Sequence, residues 1–161
     1  MIASIETTCG PLWISGGEDA VDAVSWSPLE GIRHRGELDW ILLALEAYFN
    51  GRIRQFPGSL LFMGPGILWT RMYREIRPLL SSQEILSVIA GIPFGSTMTY
   101  GEIASRIGKP GAARAVGAVC RSNPLPVIIP CHRVVGARSI GGYSPDVRYK
   151  EYLLSMESGA R

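Results

Sequence analysis

Residues 123 to 136 read NPLPVIIPCHRVVG and set Cys131 beside His132 at the end of an apolar run punctuated by prolines. A thiol reacts as its thiolate, and imidazole is the side chain best suited to take a proton near neutral pH. Each has a plainer role, since a lone buried cysteine behaves as a small apolar residue. VIIP is too apolar for a surface loop, so it carries Cys131 to the floor of a pocket. Three prolines hold the stretch extended, and in an extended segment neighbouring side chains point to opposite faces. A direct thiol-imidazole pair is therefore awkward, and a bridging water or a kink is expected between them.

The elements that must position this pair are legible on either side. Upstream, TYGEIASRIG starts with Thr99 as an N-cap and Glu102 three residues later, the spacing of a capping box. GKPG turns the chain, and AARAVGAVCRSN continues as a second helix of small residues that Asn123 ends. Helix, short glycine-containing turn and helix is the outline of a helix-turn-helix, though many helix pairs that never touch DNA share it. Ala112, Ala113, Ala115, Gly117 and Ala118 let this helix approach another backbone closely, either a groove or a packed neighbour. Arg114 projects from this shaved surface as a long cation able to fill a gap in a base stack.

The first third alternates in a different way. MIASIET, PLWISGG and DAVDAVSWS carry apolar residues two apart, separated by turns, and read as three antiparallel strands. GELDWILLALEAYFNG has helical spacing and stops at Asn50-Gly51. Residues 52–66 read as an irregular connection, ILWTRMYREIRPLL and SSQEILSVIAGIPFG as two helices or as one interrupted at Pro78, and the domain boundary falls between Gly51 and Ser81. This gives a small amino-terminal domain over 1–65, a linker or helix over 66–80, and a carboxy-terminal domain over 81–161.

Composition narrows the classes. In 161 residues, 47% hydrophobic and 19% charged, there is room for one good core or two small modules. No apolar run reaches the roughly 18 to 20 residues of a membrane span, and the amino terminus lacks the basic and apolar regions of a leader, so a cytoplasmic protein is expected. The net charge of +2 does not announce a nucleic-acid binder, yet 14 of the 16 basic residues are arginine. Arginine forks onto phosphates and stacks on bases, and it is equally the mark of a GC-rich genome. Cys9, Cys120 and Cys131 contain no CxxC pair, which fits neither a disulfide framework nor a zinc ribbon. Cys9 and His34 alone do not make a zinc site, and His34 reads as a surface residue.

TYGEIASRIGKPGAARAVGAVCRSNPLPVIIPCHRVVG, followed by GGYS and KEYLLSMES, resembles the O6-alkylguanine-DNA alkyltransferases over residues 92 to 157. The resemblance implies an α+β protein, with a ribonuclease H-like amino-terminal domain of three strands and a helix, and a winged helix-turn-helix carboxy-terminal domain. Cys131 would accept the alkyl group, His132 would be a water-mediated base, and Glu157 would orient the histidine. Tyr100 would protonate the leaving guanine and help turn the nucleotide out, Lys150 would support its polarity, and Asn123 would brace the turn around the cysteine. Arg114 would take the vacated place in the stack. Thr99, Ala112, Ala113, Ala115, Gly117 and Arg121 would lie on the DNA face. Gly142, Tyr143 and Ser144 would close over the flipped base, while backbone near Cys131 and Val134 would read its exocyclic amine.

The implied partner is double-stranded DNA containing O6-alkylguanine, with O4-alkylthymine as a second substrate, met by a monomer whose cooperative loading on DNA stays open. The implied chemistry uses no cofactor and no metal and consumes each protein once. In the amino-terminal half, where the match is thin, the linker departs from the family pattern. Cys9 and Cys120 are expected as unrelated core cysteines, with a disulfide between them the alternative. Other readings are a lesion-binding relative, which has tryptophan at the acceptor position, a methyl-sensing regulator, which needs four further cysteines, and an unrelated thiol enzyme, which leaves Tyr100 and Arg114 without a purpose.

Overall fold

The computed structural model describes residues 1–17, 21–31, 38–54, 56 and 80–159. His34 and the expected helix over 67–79 lie outside these described residues. The chain divides into two compact units, Met1–Arg77 and Pro78–Arg161.

In the first unit, β1 (Ile2–Thr7), β2 (Gly10–Gly16) and β3 (Val21–Ser25) form an antiparallel meander in the order β1-β2-β3. The alternation read from the sequence has its physical counterpart here. Leu12 and Ile14 are fully buried while Trp13 and Ser15, which alternate with them, are half-buried, because successive side chains of a strand leave on opposite faces. Helix α1 (Asp39–Phe49) packs against β1 and buries Ile41, Leu42, Leu45 and Tyr48, a stripe at helical spacing. It ends at Asn50, with Gly51 at φ +69°, where a side chain would be strained.

The second unit contains helix α2 (Leu80–Ala90), strand β4 (Met98–Thr99), helix α3 (Tyr100–Arg106) and helix α4 (Ala113–Arg121). A one-turn 3-10 helix (Cys131–Arg133), strand β5 (Val134–Val135) and helix α5 (Val147–Ser158) follow. Helix α2 packs on α3, α4 and the 3-10 turn through Ile85, Leu86 and Ile89. The capping box forms as its spacing requires. Thr99 Oγ1 accepts from the Glu102 amide at 3.1 Å, and the Glu102 carboxylate accepts from the Thr99 amide at 2.6 Å. Tyr100 is thereby fixed as the first residue of α3. Strands β4 and β5 pair in parallel, Met98 with Val134 and Thr99 with Val135, and join this cap to the end of the 3-10 turn.

The proline-rich segment does not run extended as expected. The chain reverses at Val127, which has φ +75°, the Ile129 amide donates to the Leu125 carbonyl at 2.8 Å, and Pro126 bridges to Ile129. The prolines restrict φ without forbidding a reversal between them, and a β-branched residue with positive φ is tolerated only where its surroundings impose it. Residues 127 to 130 are nevertheless all buried, as their apolar character requires.

Replacing Thr99 by alanine should lower stability by about 1 kcal/mol, the usual cost of a lost N-cap. Urea denaturation followed by circular dichroism measures it, and a midpoint equal to that of the parent protein would contradict the assignment.

Candidate active site

Cys131 begins the 3-10 turn and is buried. The expected extended geometry around Cys131 and His132 is corrected here, because the Arg133 amide closes onto the Pro130 carbonyl at 2.9 Å and winds the three residues into one turn. Neighbouring side chains on such a turn diverge by roughly a third of a revolution instead of half. Both the thiol and the imidazole can then border one interior space.

Asn123 lies just beyond α4, whose C-cap is Ser122, and its side chain organises the approach to the thiol. Its Nδ2 donates to the Ile129 carbonyl at 2.9 Å and to Cys131 Sγ at 3.1 Å, and its Oδ1 accepts from the Leu125 amide at 3.0 Å. One amide group therefore holds both ends of the Leu125–Cys131 reversal and faces the sulfur. Burial pushes the Cys131 thiol upward in pKa, while the bond from Asn123, the Lys150 charge and a bond from Tyr143 act in the opposite direction. The resting group is a neutral thiol that faces hydrogen-bond donors. Cys120 also responds to Cys131 and Lys150, but burial pushes it up to about 12 and Asn123 does not donate to its sulfur. Cys9, Cys120 and Cys131 are all free thiols.

His132 is completely buried, and its Nε2 lies 2.8 Å from Glu157 Oε1. Its Nδ1 is buried and has no hydrogen-bond partner among the described residues. A carboxylate on Nε2 holds the proton there and leaves the Nδ1 lone pair as the basic site. Desolvation lowers the His132 pKa, with the Glu157 bond and charge opposing it and Arg133 and Lys150 adding to it, so the imidazole rests neutral.

Glu157 is buried near the carboxy-terminal end of α5, on the stripe that also buries Tyr149, Lys150 and Leu153. Besides His132, its carboxylate accepts from Arg133 Nε at 3.1 and 2.9 Å, from Arg133 Nη2 at 2.8 Å and from the Gly95 amide at 3.0 Å. Arg133 and Gly95 were not among the residues that sequence reasoning placed in the site. The available signal was an arginine directly after Cys-His in a segment too apolar to leave it solvated, since a buried guanidinium needs a carboxylate.

Tyr100 lies between two glycines. A Cβ at Gly117 would stand 3.8 Å from its ring, and one at Gly141, where φ is +77°, would stand 2.8 Å from its hydroxyl. Gly117, expected on the DNA face, thus also makes room for Tyr100 within the unit. Burial first, then the thiols of Cys120 and Cys131, raise the Tyr100 pKa and keep it a phenol. Lys150 is fully buried, donates to the Val134 and Gly142 carbonyls and has its Nζ 5.9 Å from the centre of the Tyr100 ring. It ties the 134–142 loop to α5 and brings a positive charge beside the phenol. The Val134 carbonyl, considered above for a base amine, already accepts from Lys150 and retains a second lone pair. Ser144 is exposed and Tyr143 half-buried.

On the outer side, Arg114, Ala115, Ala118 and Arg121 of α4 are exposed, Ala112 and Ala113 are half-buried, and Val116 is its buried anchor. Positions 114, 118 and 121 share one helical face, so two arginines flank an alanine on a surface without bulk.

A buried cysteine that accepts from an amide, a histidine held by a carboxylate, and a phenol in the same unit are groups from which a nucleophile, a base and an acid could be drawn. Comparison with known proteins is more particular. The family model described as 6-O-methylguanine DNA methyltransferase, DNA binding domain, matches residues 81–159. A methylated-DNA–protein-cysteine methyltransferase of Methanosarcina acetivorans is 32% identical, with 96% of each chain covered. The protein of the same name from Mycobacterium tuberculosis strain H37Rv is also 32% identical, over 96% of this chain and 90% of that one. The crystal structure of Mycobacterium tuberculosis OGT in complex with DNA superimposes with a TM-score of 0.77 at 30% identity, covering 98% of this chain and 93% of that one. The chain belongs to the methylated-DNA–protein-cysteine methyltransferase family.

Gly141→Ala should cost more than about 1 kcal/mol, since alanine is strained at positive φ. It should also slow alkylation of Cys131 by displacing the Tyr100 hydroxyl. Denaturation and single-turnover labelling measure the two effects, and unchanged labelling would separate Gly141 from the chemistry.

Proposed function

We propose that the protein repairs DNA by direct reversal, transferring the alkyl group of O6-alkylguanine irreversibly to Cys131, with O4-alkylthymine as a second substrate. The observation that carries this reading is a thiol that accepts from Asn123, next in sequence to an imidazole held by Glu157, in a chain of the methylated-DNA–protein-cysteine methyltransferase family. In the first step the Cys131 proton passes through a water to His132 Nδ1, whose Nε2–H stays on Glu157. Sulfur then bonds to the alkyl carbon as the carbon–O6 bond breaks, and the electron pair leaves with guanine. Tyr100 donates a proton to the base, and the proton held by His132 restores the phenol. The products are guanine and a thioether, so each protein acts once and needs no cofactor.

The target atom lies inside the duplex, and chemistry on it requires the nucleotide to be turned out, at a cost of a few kcal/mol. In this reading α3 and α4 act as the helix-turn-helix, with β4 and β5 part of its winged surround. Arg114 fills the vacated stack, and Thr99, Ala112, Ala113, Ala115, Gly117 and Arg121 face the backbone. Gly142, Tyr143 and Ser144 line the base pocket, with Val134 and Lys150 behind them. The strands and helix of the first unit correspond to a ribonuclease H-like domain, taken as residues 1–65 ahead of a linker at 66–80. The protein acts as a monomer, with residues 81–161 as the unit that meets DNA.

A duplex containing O6-methylguanine, mixed with the protein and followed by intact mass and peptide mapping, should add a single methyl group at Cys131. Cys131→Ala should bind the same duplex without gaining mass. Methyl-free protein that binds tightly would instead favour a damage sensor, and neither binding nor transfer would favour an unrelated thiol enzyme.

Arg114→Ala should slow transfer from duplex by ten-fold or more, because stacking on a base is worth about 1–3 kcal/mol. Its reaction with free O6-benzylguanine should be unchanged. Equal losses on both substrates would remove Arg114 from the role of a wedge.

A further inference from the structure

The Arg133 side chain makes more contacts than a packing role requires. Its Nε and Nη2 fork onto the Glu157 carboxylate at 2.8 to 3.1 Å, its Nη1 donates to the Ile92 carbonyl at 2.6 Å, and Phe94 lies 5.8 Å from its Cζ. Glu157 Oε1 receives both this fork and His132 Nε2, so guanidinium, carboxylate and imidazole meet on one buried oxygen. The Gly95 amide fills the other oxygen from the turn that follows Ile92.

We propose that Arg133 is a positioning residue that holds Glu157 ionised, and thereby keeps His132 neutral, with its proton on Nε2 and its Nδ1 lone pair available for the thiol's proton. The inference rests on the reading of His132 as the base for Cys131.

A buried cluster resists net charge, because desolvating an uncompensated ion is expensive. With Arg133 in place the carboxylate is neutralised by the guanidinium, and His132 completes a neutral cluster without any added proton. Without the guanidinium, a carboxylate beside a neutral imidazole carries one uncompensated negative charge. The cluster then lowers its energy by taking a proton from solvent, onto the imidazole or onto the carboxylate. Either result disables the base, since an imidazolium has no lone pair and a neutral acid no longer orients the ring or stabilises its charge.

Other charges do not replace Arg133. The groups that act on His132 are Glu157 and Lys150 from α5 and Arg133 from its own turn, with the Cys131 thiol as its sequence neighbour. Lys150 is committed to the Val134 and Gly142 carbonyls. Helix α2, which also packs on this turn, has Glu84 as its one ionisable residue, and that side chain is exposed. Lysine at 133 would restore a charge without the planar fork that satisfies both carboxylate oxygens.

The test follows benzyl transfer from free O6-benzylguanine to Cys131 in single turnovers across pH, for the parent protein, Arg133→Gln and Arg133→Lys. A small donor removes DNA binding from the comparison. The acid limb of the rate profile should move upward by about one to two pH units in Arg133→Gln and return part of the way in Arg133→Lys. Nitrogen-15 spectra of the parent protein should show His132 neutral at pH 7 with its proton on Nε2. An unshifted acid limb in a folded Arg133→Gln would overturn the proposal, and so would an imidazolium at His132 in the parent, which decides the matter even if neither variant folds. Failure of the parent protein to transfer benzyl at all would instead count against the proposed function, while the spectra still report on Arg133.

Discussion

The burial of one carboxylate, that of Glu157, is the constraint on which the second unit depends. An ionised carboxylate inside protein costs several kcal/mol unless opposite charge and hydrogen bonds replace its water. Here the replacement comes from two places, the 3-10 turn through His132 and Arg133 and the turn after α2 through Gly95, and it meets a group carried by α5. Satisfying the carboxylate therefore fixes three segments relative to one another. The direction of the His132 ring is a consequence, and so is the place where Cys131 emerges.

Around this anchor the unit separates two chemical tasks. On one side Asn123 spans the reversal from Leu125 to Cys131 and directs an N–H at the sulfur. On the other side Tyr100 is held as a phenol between Gly117 and Gly141. Burial keeps the cysteine and the tyrosine in their neutral forms at rest. A site that acts once gains from this arrangement, because a neutral buried thiol is a poor target for adventitious electrophiles.

Helix α4 joins the interior to the outer surface. Its inner face buries Val116 and yields space at Gly117 for the tyrosine, and its outer face exposes Arg114, Ala118 and Arg121. On the inner side small size serves close packing, and on the outer side it leaves an exposed surface without bulk. Among the described residues, no helix is long and apolar enough to cross a membrane.

The sequence alone determined what depends on neighbours along the chain. The period of two in β1 to β3, the helical spacing in α1, the capping box at Thr99 and Glu102 and the apolar floor of VIIP are set by local geometry and hydrophobicity. The PCHRV pattern with its upstream motifs identified the family. Tertiary structure decided the reversal at Val127, the 3-10 turn over Cys131–Arg133, and the partners of Glu157. In KEYLLSMES the buried stripe contains Lys150 and Glu157, so hydrophobic periodicity points away from it, and only the carbonyls facing Lys150 and the guanidinium facing Glu157 make burial affordable. The burial of Arg133 was hinted at by its apolar segment, but its partners were unreadable for the same reason. Its carboxylate lies 24 positions along the chain and its carbonyl 41, and electrostatic compensation at such separations exists only once the chain has folded.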